Sequence, residues 1–283
     1  MKYTDWCAQP LADGRHRFDA LPLPQLHPLA HGQLIVEIEV TAQRITSCRL
    51  DASGSRRGDE QLLEVRDFKQ GLALINRHGW LTSAFAEVLY ARIIESALGM
   101  VVSERTRALR ELVLTLNAAA AKVYWDAVDA ALADEPASLE QRERILDVIE
   151  RITGARMHVT YARIGGVAAD IDASDIDAVR ALGLADADAA VAAVVASGGD
   201  IAIALPKVLR LPQGEYSDEI VTPHGVLGMR VVGKGDKVPQ QVELRTAGSA
   251  AFAALEHAAI GMATSEFFLR LAHTRTVLGE VAR

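Results

Sequence analysis

Apolar and polar positions change their spacing along the chain. Over 33–50 they alternate, with Leu34, Val36, Ile38 and Val40 on one side and Glu37 and Glu39 on the other, the two-residue period of a half-buried strand. "TAQR" then leads into a second run, "ITSCRL", so the pattern predicts a hairpin. The hairpin is entered through "PQLHPLAHG", residues 24–32, which holds His27 and His31. Between about 60 and 133 the apolar spacing lengthens to three or four, as in Leu109, Leu112, Leu116, Val123 and Ala127, which predicts long packed helices. Ser138 and Gln141, just after Pro136, form a capping-box signature and predict a helix running to about 153.

After Gly165-Gly166 the pattern weakens. Residues 168–200 are rich in Ala and Asp and predict two short surface helices. Their "DIDASDIDA" has Asp175 and Ala181 where a calcium loop needs Gly and Glu, so it reads as a solvated acidic face. From 218 to 246, strand-like runs interrupted by "TPHG" and "GKGDK" predict a small antiparallel sheet, and a last helix is predicted over 249–273. The fold class is α+β, mostly α, with small β elements towards both ends.

Composition narrows the function classes. Half of the residues are apolar, enough for a substantial core, and the net charge of −7 argues against nucleic acid as a partner. Cys7 and Cys48 are too few and too far apart for a disulfide framework, a thiolate zinc site or a cluster loop, so no metal is expected and a reducing cytoplasm fits. The N-terminus shows no apolar leader. The most apolar window, 187–205, is interrupted by Asp188 and Asp200, so no transmembrane helix is expected. With neither a G-x-G-x-x-G nor a G-x-x-x-x-G-K-[ST] run, the chain is not expected to hold NAD or a nucleoside triphosphate.

Six stretches, taken in order, carry a resemblance: "PQLHPLAHG", "SRRGDEQL", "INRHGWLTSAF", "TGARMHVTYARIGGV", "TPHGVLGMRVVGKG" and "GEVAR". Together they resemble the D subunit of respiratory NADH:quinone oxidoreductase (complex I), a relative of the large subunit of nickel-iron hydrogenases. The resemblance covers 24–172 and 215–283. It implies a helical core of the hydrogenase large-subunit type, organised as an N-terminal segment and hairpin (1–55), a helical core (56–172), an Ala/Asp-rich replacement of the family's middle portion (173–214), and a hairpin, final helix and tail (215–283), packed as one domain. The two Cys-x-x-Cys pairs that a nickel site needs are missing, so no nickel is expected.

The resemblance also implies roles for particular residues. His31, with His27 in the same loop, would approach a quinone headgroup, where an imidazole can donate a hydrogen bond or a proton. Read on spacing alone, the two are loop histidines of a polar turn. Trp80 stands where the family has a tyrosine and Gly79 where it has an aspartate; an indole N–H donates a hydrogen bond but does not release its proton as a phenol does. The family's accompanying carboxylate falls near Asp126 and Asp129. Arg57, Arg156 and His158 would face an iron-sulfur cluster held by a partner; the plainer readings are a salt bridge of Arg57 with Glu60 or Asp59 and a satisfied core histidine at 158.

The expected function is therefore that of an oxidoreductase component like the family's D subunit, inactive alone. It would bind no cofactor of its own, would take quinone as a candidate ligand, and would pack against an iron-sulfur small subunit and other oxidoreductase subunits. The expected location is cytoplasmic, peripheral to the inner face of a membrane through those partners. The alternative is a non-catalytic scaffold or assembly paralogue, or a homo-oligomer. An apolar patch is expected near Arg57, Trp80 and His158.

Overall fold

The alternation at 34–40 becomes a strand with Leu34, Val36, Ile38 and Val40 buried, and Ala42 and Gln43 form a two-residue turn between the paired Thr41 and Arg44. Both turn residues have positive φ, 51° and 60°, the geometry whose twist matches a hairpin. The structure, a computed structural model, describes residues 2–281. In chain order the elements are α1 (Tyr3–Cys7), β1 (Gly14–Phe18), β2 (Ile35–Thr41), β3 (Arg44–Asp51), α2 (Asp59–Glu64), α3 (Phe68–Ile75) and α4 (Ser83–Ala97). There follow α5 (Glu104–Leu132), α6 (Glu140–Thr153), β4 (Ala162–Arg163), β5 (Gly166–Val167), α7 (Ala173–Arg180) and α8 (Ala185–Ala196). The chain continues through β6 (Gly214–Thr222), β7 (Gly225–Gly233), β8 (Gln241–Arg245), α9 (Ala247–Ala258), α10 (Thr264–Ala272) and α11 (Leu278–Val281).

These elements divide into two units. The first takes the residues up to Arg57, Tyr124–Ser138 and those from Arg245 onward. Its sheet has three antiparallel strands in the order β1-β2-β3, one more than the hairpin predicted. The sequence of β1, "GRHRF", leaves its side chains exposed or half-buried, so no apolar alternation announces it. The predicted final helix is two helices, α9 and α10. The chain between them hydrogen-bonds to the sheet: Gly261 N donates to Ile45 O at 2.7 Å and Ile45 N to Met262 O at 3.0 Å. Gly261 has φ +82°, a conformation that suits glycine. Trp6 packs edge-on against Phe18 and Phe268, with ring centroids 5.7 and 4.8 Å away.

The second unit takes Gly58–Val123 and Leu139–Leu244. Its α4 is buried over most of its length. On one side, residues of α4, α5 and α6 share a core with Val179, Ala187, Val191 and Val194. On another, α3 and α4 pack with the sheet β6-β7-β8 through Leu89, Ile93, Met229 and Val231. So α7 and α8 are not merely surface helices: their acidic faces are solvated, but their small apolar residues close the core. Helix α6 begins at Glu140, with Leu139 at the N-cap. A reciprocal capping box forms at Asp172 and Asp175, at the start of α7. Among the described residues no helix is long and apolar enough to cross a membrane.

Candidate functional site

The sequence-predicted residues divide between the units. His27, His31 and Arg57 belong to the first; Trp80, Arg156 and His158 belong to the second.

In the first unit, the loop 24–32 is held at both histidines. His27 is fully buried. Its Nε2 lies 2.7 Å from Ala272 O and its Nδ1 accepts from Leu29 N at 3.1 Å. A neutral ring with its proton on Nε2 satisfies both contacts. Burial pushes the His27 pKa down, with the nearby His273 and His31 adding to the effect and the Ala272 carbonyl and Asp129 opposing it. With both nitrogens engaged, His27 shapes the loop from inside. His31 is exposed, with Nε2 2.8 Å from Gln25 O. Tyr124 of α5 donates its hydroxyl to Leu26 O, and Trp125 meets the His27 ring edge-on at 6.4 Å. Asp129, on the same helix, accepts from Arg275 at 3.2 Å. Arg57 is exposed and donates to Gly279 O at 3.2 Å.

In the second unit, three motif stretches meet through buried polar side chains. Asn76, just after α3, donates through Nδ2 to Glu87 Oε1 at 2.7 Å and to Val159 O at 3.0 Å. Glu87, fully buried in α4, accepts through Oε2 from the amides of Tyr161 at 3.1 Å and Ala162 at 3.3 Å. His158 is half-buried and its Nδ1 lies 2.9 Å from Asn76 O, so the ring donates to a main-chain carbonyl. Its φ of +52° is unusual for a residue with a Cβ. His78, buried beside Trp80 in the chain, bonds through Nδ1 to Asp59 Oδ2 at 2.7 Å, joining "RRGDE" to "RHGW". Burial pushes the Glu87 carboxyl up to about 8, against the pull of Asn76, the two amides and Arg163.

The glycine pair is clamped nearby. Arg110 and Glu95 form a buried ion pair with N–O distances of 2.5 and 3.0 Å. Arg110 also donates to Arg163 O and Gly166 O, at 2.8 and 3.0 Å, and Glu95 accepts from Gly165 N at 2.6 Å. Gly165 has φ +80°, and a Cβ on Gly166 would fall 2.4 Å from Ile201 O, so both positions need glycine.

Trp80 and Arg156 do come together. They line a cleft with Asn117, Arg142 and Met157 whose interior has room for little more than a water molecule. Met157 is exposed there and Trp80 is half-buried. Arg156 is engaged by three carboxylates of α6, Glu143, Asp147 and Glu150, with the Glu143 contact at 2.7 Å. Their hydrogen bonds, Asp147 first, raise its pKa further, and much of its charge is met within the chain.

Asn76, His78, Glu87, Glu95 and Arg110 were missed in the sequence. One signal was available: Glu87 and Glu95 stand eight apart in the otherwise apolar "SAFAEVLYARIIESA", two turns along one face. An acid on a buried face implies a partner.

Comparison with known proteins bears on these motifs. The profile of a family described as "Respiratory-chain NADH dehydrogenase, 49 Kd subunit" matches residues 136–190, which takes in α6 and "GARMH…GGV" and continues into the Ala/Asp-rich segment. The chain is 31% identical over 160 residues to the NADH-quinone oxidoreductase D subunit of Acidothermus cellulolyticus, covering 54% of this chain and 36% of that protein. It is 33% identical over 161 residues to the corresponding D subunit of Parafrankia sp., covering 55% and 35%. These matches span little more than a third of each relative's length. The NADH-quinone oxidoreductase D 2 subunit of Salinispora arenicola is similar along its length, at 24% identity over 351 positions, covering 90% of this chain and 91% of that one. That alignment exceeds the 283 residues of the chain, so it must open long gaps opposite this chain. Among solved structures, a chain from the membrane-bound sulfane sulfur reductase, an archaeal respiratory membrane complex, superimposes with a TM-score of 0.77 at 17% identity, covering 96% of this chain and 98% of that one. The two chains therefore share a fold.

Proposed function

We propose that this chain is a divergent member of the family of the D (49 kDa) subunit of respiratory NADH dehydrogenase, which it resembles, and that it is one subunit of an electron-transfer complex. In this reading it packs against an iron-sulfur subunit and lines a quinone-like cavity, and it reaches a membrane through its partners. The observation that carries the reading is the joining of two motif stretches, "INRHGWLTSAF" and "TGARMHVTYARIGGV", through one buried network around Glu87, with His158 at its edge. Donation from Nδ1 to Asn76 O orients the ring, and in the doubly protonated form Nε2 would donate to an external group. A hydrogen-bond donor near a cluster stabilises its reduced form.

His31 is the candidate for the quinone side. It is exposed on a loop whose base His27 fixes; with Nε2 donating to Gln25 O, the doubly protonated ring would donate its second N–H to a quinone oxygen as charge develops on it. Trp80 would offer an N–H but no transferable proton. The narrow cleft beside Trp80 favours a second reading, a scaffold or assembly subunit that keeps the fold without reducing quinone.

Purifying the tagged chain from its own cells in mild detergent tests the first reading. The expected result is a stoichiometric complex containing a cluster-bearing subunit, whose paramagnetic signal shifts in potential on His158→Ala. A chain recovered alone or only as a homo-oligomer would overturn it. A complex with clusters but no quinone reductase activity would select the scaffold reading.

A further inference from the structure

Two observations meet at Glu87. Its oxygens accept from three N–H donors, Asn76 Nδ2, Tyr161 N and Ala162 N, a set that suits the ionised form, while burial favours the neutral one. Beside it, Asn76 Oδ1 is buried and has no hydrogen-bond partner, an uncommon state for a buried amide oxygen. A half-turn of the Asn76 amide exchanges its oxygen and nitrogen. Oδ1 would then stand where Nδ2 now lies, 2.7 Å from Glu87 Oε1, and would accept a bond from a protonated carboxyl. The same turn would bring Oδ1 towards Val159 O and His158 O, now 3.0 and 3.4 Å from Nδ2. Oxygen facing oxygen repels, so the main chain there must shift. His158 already sits in the left-handed region at φ +52°, where a non-glycine residue is held only by its surroundings.

We infer that Glu87 and Asn76 form a buried proton site that sets the conformation of residues 158–162. With the carboxylate ionised, Asn76 Nδ2 bonds to it and to the Val159 carbonyl. With the carboxyl protonated, the amide turns and releases that carbonyl. The proton comes from solvent and returns to it.

Charged groups face Glu87 from several elements, most of them paired with one another. Arg163 of β4 acts on it directly. On α4, Arg92 is paired with Asp218 of β6 and Glu95 with Arg110. On β7, Arg230 is paired with Glu215 and Glu243. Beyond Asn76, His78 is bonded to Asp59, and the Tyr161 hydroxyl donates to Ala169 O. The site is a property of this chain, independent of any partner; its tie to electron transfer, through His158, rests on the function proposed above.

The test is a pH titration of the isotopically labelled full chain by NMR, following the Glu87 carboxyl carbon, the Asn76 side-chain amide and the His158 ring. The expected midpoint for Glu87 is near 8, with the same inflection in the Asn76 and His158 signals and its loss from His158 in Glu87→Gln. Should that variant not fold, Glu87→Asp keeps the carboxyl and should move the inflection of all three groups together. A Glu87 midpoint in the ordinary carboxylate range, or Asn76 and His158 signals that ignore its titration, would overturn the proposal. Neither outcome depends on whether a complex forms.

Discussion

His27 in the first unit and Glu87 in the second are both wholly buried groups that water would readily charge, yet their surroundings are built in opposite senses. His27 meets one acceptor and one donor, Ala272 O and Leu29 N, an inventory that the neutral ring fills completely. Burial and hydrogen bonding agree there. Glu87 meets donors only, which match the charged form while burial opposes it. A buried group whose bonds match its neutral form is a fixed structural piece, and one whose bonds and burial disagree responds to pH.

The same helix supplies a third case that can be used to break the comparison. Glu95 is buried like Glu87 but has a guanidinium partner in Arg110. Arg110→Ala would leave Glu95 a buried carboxylate with donors but no counter-charge and would release the Arg163 and Gly166 carbonyls. Losing one partner of a buried pair costs about 3–5 kcal/mol, so this should be the largest effect. Denaturant unfolding measures it. Adding Glu95→Gln should recover part of the loss, because the stranded charge is then gone.

Next in size is the dependence of stability on pH. The Glu87 carboxyl is raised from 4.5 to about 8, so the folded state holds this proton more tightly than the unfolded one. Its contribution is complete below pH 4.5 and is lost as pH rises through about 8, with a slope of at most about 1.4 kcal/mol per pH unit. Unfolding midpoints measured across that window should fall with pH in the wild type and flatten in Glu87→Gln. Equal slopes in the two proteins would remove the contrast with His27.

For His27 the sign reverses. Its pKa is lowered from 6.5, so the folded state resists the proton, and the stability it supports is present above pH 6.5 and lost as pH falls below it. His27→Ala leaves Leu29 N and Ala272 O without their buried partner, at about 1–3 kcal/mol for the unmet bonds. Thermal unfolding at pH well above 6.5 should show that loss as a nearly constant decrement.

How much of this was legible follows from the range of each interaction. The β2–β3 hairpin, the helical character of 60–133 and the β6–β7 hairpin arise from neighbours in sequence, and their periodicity showed them. Strand β1 did not show because its "GRHRF" puts polar side chains on an edge, and the break at Gly261 did not because it answers to Ile45, far away in sequence. The Ala-rich α8 reads as surface when only its aspartates are weighed, whereas Ala187, Val191 and Val194 are buried. The histidine loop could be found by its residue types. That His27 points inward and His31 outward depends on α5 and α10 packing around the loop. The resemblance led to His158, but the pairing of Asn76 with Glu87, eleven residues on, has no signature beyond an acid on an apolar face.

The smallest expected effect concerns Arg156, a charge that the comparison places at the surface. Gly154, at φ +83°, ends α6 and turns the chain, and Arg156 then bonds to Glu143, Asp147 and Glu150. Those acids share one face of α6, and the last of them lies in the helix's final turn, where negative charge opposes the helix dipole. Arg156→Ala should therefore lower stability through mutual repulsion of the three carboxylates, by less than any change above, because the cluster is open to solvent and screened. Raising the salt concentration shortens the screening length, so the difference between wild type and variant in the urea midpoint should shrink as salt is added. Arg156→Lys should restore most of it, since the charge rather than the planar fork offsets this repulsion. A deficit that salt leaves unchanged would show instead that Arg156 acts by packing in the Trp80 cleft, making that cleft a structural part of the second unit.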